Sequence, residues 1–324
     1  MKSLAKLGFM IFFLFAVCEG TVRLFGYHPW NPAKLGLTGG WYQPDSEIGW
    51  VRTTTGVGPV VSKKVTGETV TGEKTSRAEE VFVLGCSFVE GAGLRQAQTF
   101  TGKLQARHPE LNFANLGTGG YSTYQALLLL KRVLAGIDSP PRAVLYGFVD
   151  FHEFRNVALA QWVSGLAWSN STGTIAIPYC GIGRKGDLEC YPSRKYPLWP
   201  WRTALGLVPF MEQTYLMLQD FGKRSQMEAV SVYLAKKMQE TAENAGSKFR
   251  LVYLASVNGP KERYLELFQR AGIKVLDCVF PQAHLPKYTL PNDGHPNELL
   301  NDIWTDCVER GLQEAGVLKE EGVR

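Results

Sequence analysis

The stretch Val81–Gly93, VFVLGCSFVEGAG, decides how the chain is read. Four apolar residues run into a turn, GCS, and then into a glycine-punctuated segment. A short apolar run bounded by turn residues reads as a buried strand. A strand that stops at Gly85 presents Cys86 and Ser87 at its carboxyl end. In open α/β sheets the crevice beyond that end binds ligands. Ser87 is therefore a candidate nucleophile.

Downstream of this stretch the pattern stays regular. Thr99–Arg107 predicts a helix, with Phe100 and Leu104 on one face, and Leu111–Leu116 a second strand ending in GTGG. Tyr124–Leu134 is Leu-rich and helical in pattern until Pro140-Pro141 breaks it, and Ala143–Phe148 is a third strand. Phe151–Trp168 reads as mostly helical. Ser225–Glu243 has Met227, Val230, Leu234, Met238 and Thr241 at helical spacing, with Gly246 placed to close the helix. A fourth strand (Phe249–Ala255), a helix (Lys261–Ala271) and a fifth strand (Ile273–Val279) follow. A last helix starts near Asn297, a good N-cap, with Leu300, Trp304, Val308 and Leu312 on its core face. Strands alternating with helices predict a parallel sheet covered on both faces.

Upstream, Lys2 and Lys6 flank an apolar run, Leu7–Cys18, that ends at Glu19. A basic flank before a short apolar core describes a secretory signal or a short signal-anchor. The run is shorter than the ~20 residues of a typical spanning helix. The sites for cleavage or lipidation are poor, so an uncleaved anchor stands ahead of a cleaved leader. Residues 1–20 are assigned to this segment. Residues 21–78, rich in Thr, Gly and Val, read as an extension of loops and short strands before a main domain at 79–320.

Composition sets the class. The chain has 324 residues, 45% hydrophobic and 20% charged, which argues for a folded core. The net charge of +5 is scattered without a basic run, which excludes nucleic acid as an indicated partner. Six cysteines in an exported chain read as disulfide candidates. Cys180 and Cys190 bracket a Gly-rich loop, and Cys278 and Cys307 make a second candidate pair. Their spacing suits no zinc site. No phosphate-cradling or HExxH motif occurs, so no cofactor or metal is expected.

A serine nucleophile needs a histidine base, an orienting carboxylate and donors for the oxyanion. His28 follows the apolar run, His108 sits at a helix end, His152 follows the third strand and His284 lies in a Pro-bounded loop. His295 lies in Asn292-Asp293-Gly294-His295-Pro296-Asn297, where a tight turn supplies an acid beside it. One local segment then carries base and orienter, His295 and Asp293; read alone, the same turn is a solvated loop with an N-cap. The N–H of Ser87 and the loop Gly117-Thr118-Gly119-Gly120 are the candidate oxyanion donors. Cys86 as nucleophile is the weaker alternative, because nothing around it in the sequence depresses a thiol pKa.

These residues resemble the SGNH (GDSL-type) hydrolases in four blocks in the right order. LGCSFVEGAGL is similar to the first block, ANLGTGGYST to the second, YGFVD to the third and DGHPN to the last. The resemblance covers Val81 to about Gly316. It implies a flavodoxin-like, three-layer α/β/α fold with a five-stranded, mostly parallel sheet. It also implies ester hydrolysis or acyl transfer, with Ser87 as nucleophile, His295 as base, Asp293 as orienter, and Ser87 and Gly120 in the oxyanion hole. The apolar leader followed by EGTVRLFGY is similar to membrane-anchored bacterial members, and the D-x-H spacing to the polysaccharide O-acetylation branch. Two residues depart from the family pattern. Cys86 replaces the Asp of GDS, and Val149 stands where the third block has its oxyanion Asn. His152, Arg155 and Asn156 are the nearby residues that could supply a substitute donor.

An aromatic, Pro-rich insertion at about 157–224 leaves two readings open, sugar stacking or ordinary core and lid material. Two functions follow. The first is an envelope-located serine esterase or acyltransferase acting on an ester, an O-acetyl ester above all, of a glycan or small molecule, anchored in the inner membrane facing the periplasm or secreted. The second is a non-catalytic binding or assembly component of an envelope polysaccharide pathway, favoured by Val149 and Cys86.

Overall fold

The computed structural model describes residues 2–29, 42–52, 79–160, 162–163, 175–196, 199–291 and 293–318. Five strands form the central sheet: β3 (Glu79–Leu84), β4 (Leu111–Asn115), β5 (Ala143–Val149), β8 (Lys248–Ala255) and β9 (Val275–Asp277). Their spatial order is β4-β3-β5-β8-β9, and every pairing is parallel. Counted along the sheet strands alone this is 2-1-3-4-5, the flavodoxin-like doubly wound order. The switch point falls where β3 meets its two neighbours, β4 and β5, so ligand chemistry is expected beyond the end of β3.

The strands are apolar on both faces because both faces are covered. Side chains alternate. Phe82, Leu84, Tyr146 and Phe148 enter one buried cluster, with α4 (Thr123–Leu134), α7 (Met227–Asn244) and α8 (Glu262–Arg270). Val81, Val83, Leu145 and Val149 enter the other, with α3 (Phe100–Arg107) and α9 (Glu298–Glu314). Three layers result.

Helix ends follow local chemistry. Thr99 caps α3 by accepting from Gly102 N, Ser122 caps α4 by accepting from Gln125 N, and Asn297 caps α9 by accepting from Leu300 N. At the end of α7, Gly246 takes φ +90° while Ser247 N bonds Ala242 O, the glycine stop expected from the sequence.

The mostly helical run expected over Phe151–Trp168 is present but broken at 157–159, with helical backbone resuming at Ala160, Trp162 and Val163. Helix α5 spans only His152–Asn156. Ala158 turns into left-handed backbone at φ +51°, and Leu159 N reaches back to Phe154 O. The Asp220 carboxylate then accepts from Ala160 N. Residues 164–168 of that expectation lie outside the described residues.

Part of the segment read as an extension is built into the domain. Strands β1 (Tyr42–Asp45) and β2 (Gly49–Arg52) form an antiparallel hairpin, and Ile48 and Val51 are fully buried. Residues 53–78 lie outside the described residues. The insertion contributes an antiparallel hairpin, β6 (Ile175–Ile182) and β7 (Leu188–Tyr196), and then helix α6 (Leu207–Gln219). Cys180 and Cys190 face each other across the hairpin and are disulfide-bonded. Cys278 and Cys307 form a second disulfide, tying the end of β9 to α9.

At the N-terminus, helix α1 runs over Lys2–Leu24, longer than the apolar run alone. It continues through Glu19 because Arg23, one turn on, pairs with that carboxylate at 2.6 Å. Residues Ser3–Leu24 have mean hydropathy 1.8, so the helix is long and apolar enough to cross a membrane. Two further short pieces are helix α2 (Ser87–Glu90) and a single-turn 3-10 helix at Pro286–Tyr288.

Candidate active site

Ser87 is the first residue of α2, directly beyond β3 and the turn Gly85-Cys86. The second component comes from the loop before α9. There Leu290 N donates to His295 O, Thr289 bridges to Pro296, and Gly294 takes φ +75°. This closes a small hairpin with Asp293 and His295 at its tip. Asn297 braces the loop while it caps α9, through N–H to Tyr288 O and Nδ2 to Lys287 O. Asn292 lies outside the described residues.

The geometry joins the two segments. His295 Nε2 lies 2.9 Å from Ser87 Oγ. His295 Nδ1 is hydrogen-bonded to the Asp293 carboxylate. A carboxylate only accepts, so Nδ1 carries the proton and Nε2 is left as the acceptor for the serine hydroxyl. The imidazole is propped by Phe88, edge-on at 5.9 Å between ring centroids. Phe88 in turn packs against the fully buried Trp304 of α9.

The glycine loop after β4 lies beside the same helix. Thr118 N donates to Gly85 O, and a Cβ on Gly117 would come within 2.3 Å of Glu90 N, so only glycine allows this approach. Gly120 takes φ +76° in a turn closed by Tyr121 N to Thr118 O. The β1–β2 hairpin clamps the loop from outside: Trp50 Nε1 donates to Gly119 O and Arg52 to Gly117 O. Tyr42 donates to the Glu90 carboxylate, whose pKa burial pushes above its ordinary value. Nothing in the sequence pattern of 42–52 signalled this contact.

Two of the three substitute donors are committed elsewhere. His152 is fully buried, with Nδ1 facing Tyr146 Oη and Val149 N, and burial holds its pKa well below the usual value. Asn156 accepts from Thr123 N and donates to Thr123 Oγ1 and Ser231 Oγ, which locks α4, α5 and α7 together. Neither lines the cleft beside Ser87. Asn156 is spent inside the core, and His152 Nε2, though without a hydrogen-bond partner, is buried away from the cleft.

Arg155 does line that cleft. One of its terminal nitrogens donates to Tyr121 O, its guanidinium lies 4.2 Å from the Phe151 ring centroid, and its Nε is shut off from solvent with no hydrogen-bond partner. Desolvation lowers its pKa. The neighbouring carboxylates are taken: Glu153 by Arg263 and Tyr264, Asp150 by the N–H groups of Val257 and Asn258. Asp150, the acid of YGFVD, is thereby a brace for the loop after β8, which forms a cleft wall.

Cys86 is fully buried, and burial pushes its thiol pKa up despite the opposing charge of Arg155. A raised pKa leaves little thiolate, the form that attacks. Val149 points into the apolar cluster under α9 and offers no donor.

The cleft has a volume of about 570 Å³. Its walls are mainly apolar, including Phe88, Phe151, Val257 and Phe280, with Ser87, His295 and Arg155 among its polar groups. Among the described residues, no aromatic of the insertion reaches it. Tyr179 instead stacks on Tyr191 within the hairpin, and Trp162 packs on Trp50.

No family model matches the sequence. No curated protein matches it either. Solved structures similar in fold are GDSL-type hydrolases and esterases. They include TesA, at 13% identity and TM-score 0.44, covering 73% of this chain and 99% of that one. They include the psychrotrophic esterase EstA from Pseudoalteromonas sp., inhibited by monoethylphosphonate, at 13% identity and TM-score 0.43 over 74% and 100%. They also include a member of the lipolytic protein G-D-S-L family from Veillonella parvula, at 12% identity and TM-score 0.41 over 72% and 97%.

Proposed function

We propose that this protein is an exported, membrane-anchored serine esterase or acyltransferase acting on an ester, an O-acyl group of a glycan above all. The observation that carries the reading is the hydrogen-bonded chain Ser87 Oγ, His295 Nε2, His295 Nδ1, Asp293. In the proposed reaction Ser87 Oγ attacks the ester carbonyl and its proton passes to His295 Nε2. Asp293 holds the imidazole in the required tautomer and stabilises the imidazolium. The carbonyl oxygen becomes an oxyanion, held by the N–H groups of Ser87 and Gly120. Collapse expels the alcohol, which takes the proton from His295. Water or an acceptor hydroxyl then attacks the acyl-serine by the same path and restores the enzyme.

Arg155 supplies the donor that Val149 cannot. Its support is a guanidinium that lines the cleft with Ser87 while the neighbouring carboxylates Glu153 and Asp150 are held by other partners. A developing negative charge beside Ser87 answers that positive charge, and an electrostatic donor in a dry cleft acts on the transition state more than on the neutral ester.

Envelope location is supported by helix α1 and by two disulfides, which persist in oxidising compartments. Retention of α1 is supported by the bonds that its Glu19 makes to the domain. The test is a fluorophosphonate serine probe on the full chain in detergent, with Ser87→Ala and Cys86→Ala as controls. Labelling of wild type and of Cys86→Ala but not of Ser87→Ala is expected. A folded wild type that takes no label overturns the enzyme reading and leaves the non-catalytic binding component, which Val149 favours.

A further inference from the structure

Helix α6 has an unusual distribution of surface. Its buried stripe is narrow: Glu212 and Leu216, continued by Asp220. Glu212 is paired with Arg202, and Asp220 accepts from Ala160 N. The opposite side is where a soluble helix carries charge. Here Leu207, Met211, Thr214 and Leu218 recur at positions one helical face apart, flanked by Phe210, Met217 and Phe221. Met211 is 49% exposed, Met217 56%, Leu218 63% and Phe221 84%. Between residues 203 and 222 the chain holds no charged side chain except the buried Glu212 and Asp220. Exposed apolar area of this extent marks an interaction surface.

The occupant is indicated by what holds the start of the helix. The Glu19 carboxylate of α1 accepts from Gly206 N at 2.7 Å and from Leu207 N at 2.8 Å, capping α6 from another element. Arg23 reaches Ala204 O, and Tyr27 packs edge-on against Phe210 at 5.1 Å. Glu19 lies five residues before the end of α1, so α6 begins within about 8 Å of that end along the helix axis. Leu24 and Phe25, at the same end, are 89% and 79% exposed. Trp201, 73% exposed just before α6, adds an aromatic of the kind enriched at membrane–water boundaries.

We infer that the outer face of α6, with Trp201 and Phe221 at its margins, lies in the bilayer interface beside α1 and seats the catalytic domain against the membrane. The inference rests on reading α1 as a membrane anchor. It goes further, since an anchor alone would leave the domain free to swing on a tether. A bilayer fits better than a second copy of the chain because the apolar face is continuous with the exit of an apolar helix that is itself almost entirely uncovered by protein. An interfacial helix with its apolar face in the acyl boundary satisfies both elements at once.

The test uses the full chain in phosphatidylcholine–phosphatidylglycerol vesicles. Cys18→Ser removes the exposed free thiol; Cys86 is buried and the other cysteines are bridged. Single cysteines are placed by Leu218→Cys on α6, Phe12→Cys on α1 and Lys237→Cys on α7, all exposed positions that tolerate a small side chain. Each is labelled with an environment-sensitive fluorophore and challenged with lipids bearing a nitroxide near the headgroup, and separately with aqueous iodide. The expected result is that the Phe12→Cys and Leu218→Cys labels lose most of their emission to the nitroxide lipid, while the Lys237→Cys label loses it only to iodide. A Leu218→Cys label quenched only by iodide, with the Phe12→Cys label still quenched by lipid, overturns the inference and leaves the anchor standing. A Leu218→Cys label shielded from both quenchers means that protein covers the face and equally overturns it. Lipid quenching at neither site overturns the anchor and the inference together.

Discussion

Ser87 Oγ and His295 Nε2 lie 2.9 Å apart although 208 residues separate them in the chain. The separation is closed by two unrelated local devices. The end of β3 presents the serine, and a hairpin in front of α9 presents the histidine. The three catalytic candidates therefore act as a unit, and their losses should not add. Ser87→Ala and His295→Ala should each lower kcat on a short-chain p-nitrophenyl ester by about 10⁴-fold or more, and the double variant should be little worse. Asp293→Asn should cost about 10⁴-fold by favouring the wrong tautomer. Steady-state kinetics on the four purified variants checks these losses.

The Arg155 side chain is expected to act on the transition state. Arg155→Met should reduce kcat by about 10²–10³-fold with little change in KM, the loss typical of one oxyanion donor. Arg155→Lys should recover part of that loss, because a point charge replaces the fork without its geometry. An equal rise in KM with kcat unchanged would assign Arg155 to ground-state binding instead.

Cys86 should be chemically silent. Its burial and raised pKa predict no modification of the native protein by iodoacetamide at neutral pH, as read by mass spectrometry, and full reaction once the chain is unfolded. Cys86→Ala should keep esterase activity within a fewfold of wild type.

The Cys278–Cys307 disulfide encloses the segment that carries Asp293 and His295, with a sequence separation of 29. A closed loop of that size constrains the unfolded chain by about 3.5 kcal/mol. Cys278→Ser with Cys307→Ser should lower the denaturant midpoint accordingly. The Cys180–Cys190 pair lies in the insertion hairpin, so its removal should leave kcat unchanged.

His152 links stability to pH. Its pKa in the folded state is far below the ordinary 6.5 because burial disfavours the imidazolium. The unfolded chain therefore takes up a proton that the folded chain refuses, and stability falls as pH drops below about 6.5, by about 1.4 kcal/mol per pH unit from this one group. Urea unfolding at several pH values should show the slope reduced by that amount in His152→Gln, whatever its stability at neutral pH.

The sheet strands, the helix cap at Asn297 and the glycine stop at Gly246 were legible because each depends on residues within a few positions of one another. The same locality made the Asp293–His295 pairing readable. The helical run expected over Phe151–Trp168 is interrupted for a tertiary reason: Asp220, some sixty residues on, accepts from Ala160 N just beyond the turn at Ala158.

What the amino-acid sequence determined by itself is therefore the periodic, short-range content: the alternation of strand and helix, the strand-end serine, and the acid–base turn. Only the tertiary structure decided how polar groups were shared out. It committed His152 and Asn156 to a buried network and left Arg155 facing the cleft. It folded residues 42–52 over the glycine loop, and it set α6 against the end of α1 with its apolar side outward. Those outcomes depend on competition among partners distant in sequence. A buried polar atom takes the partner that the packed core brings to it, and no local pattern records which partner that will be.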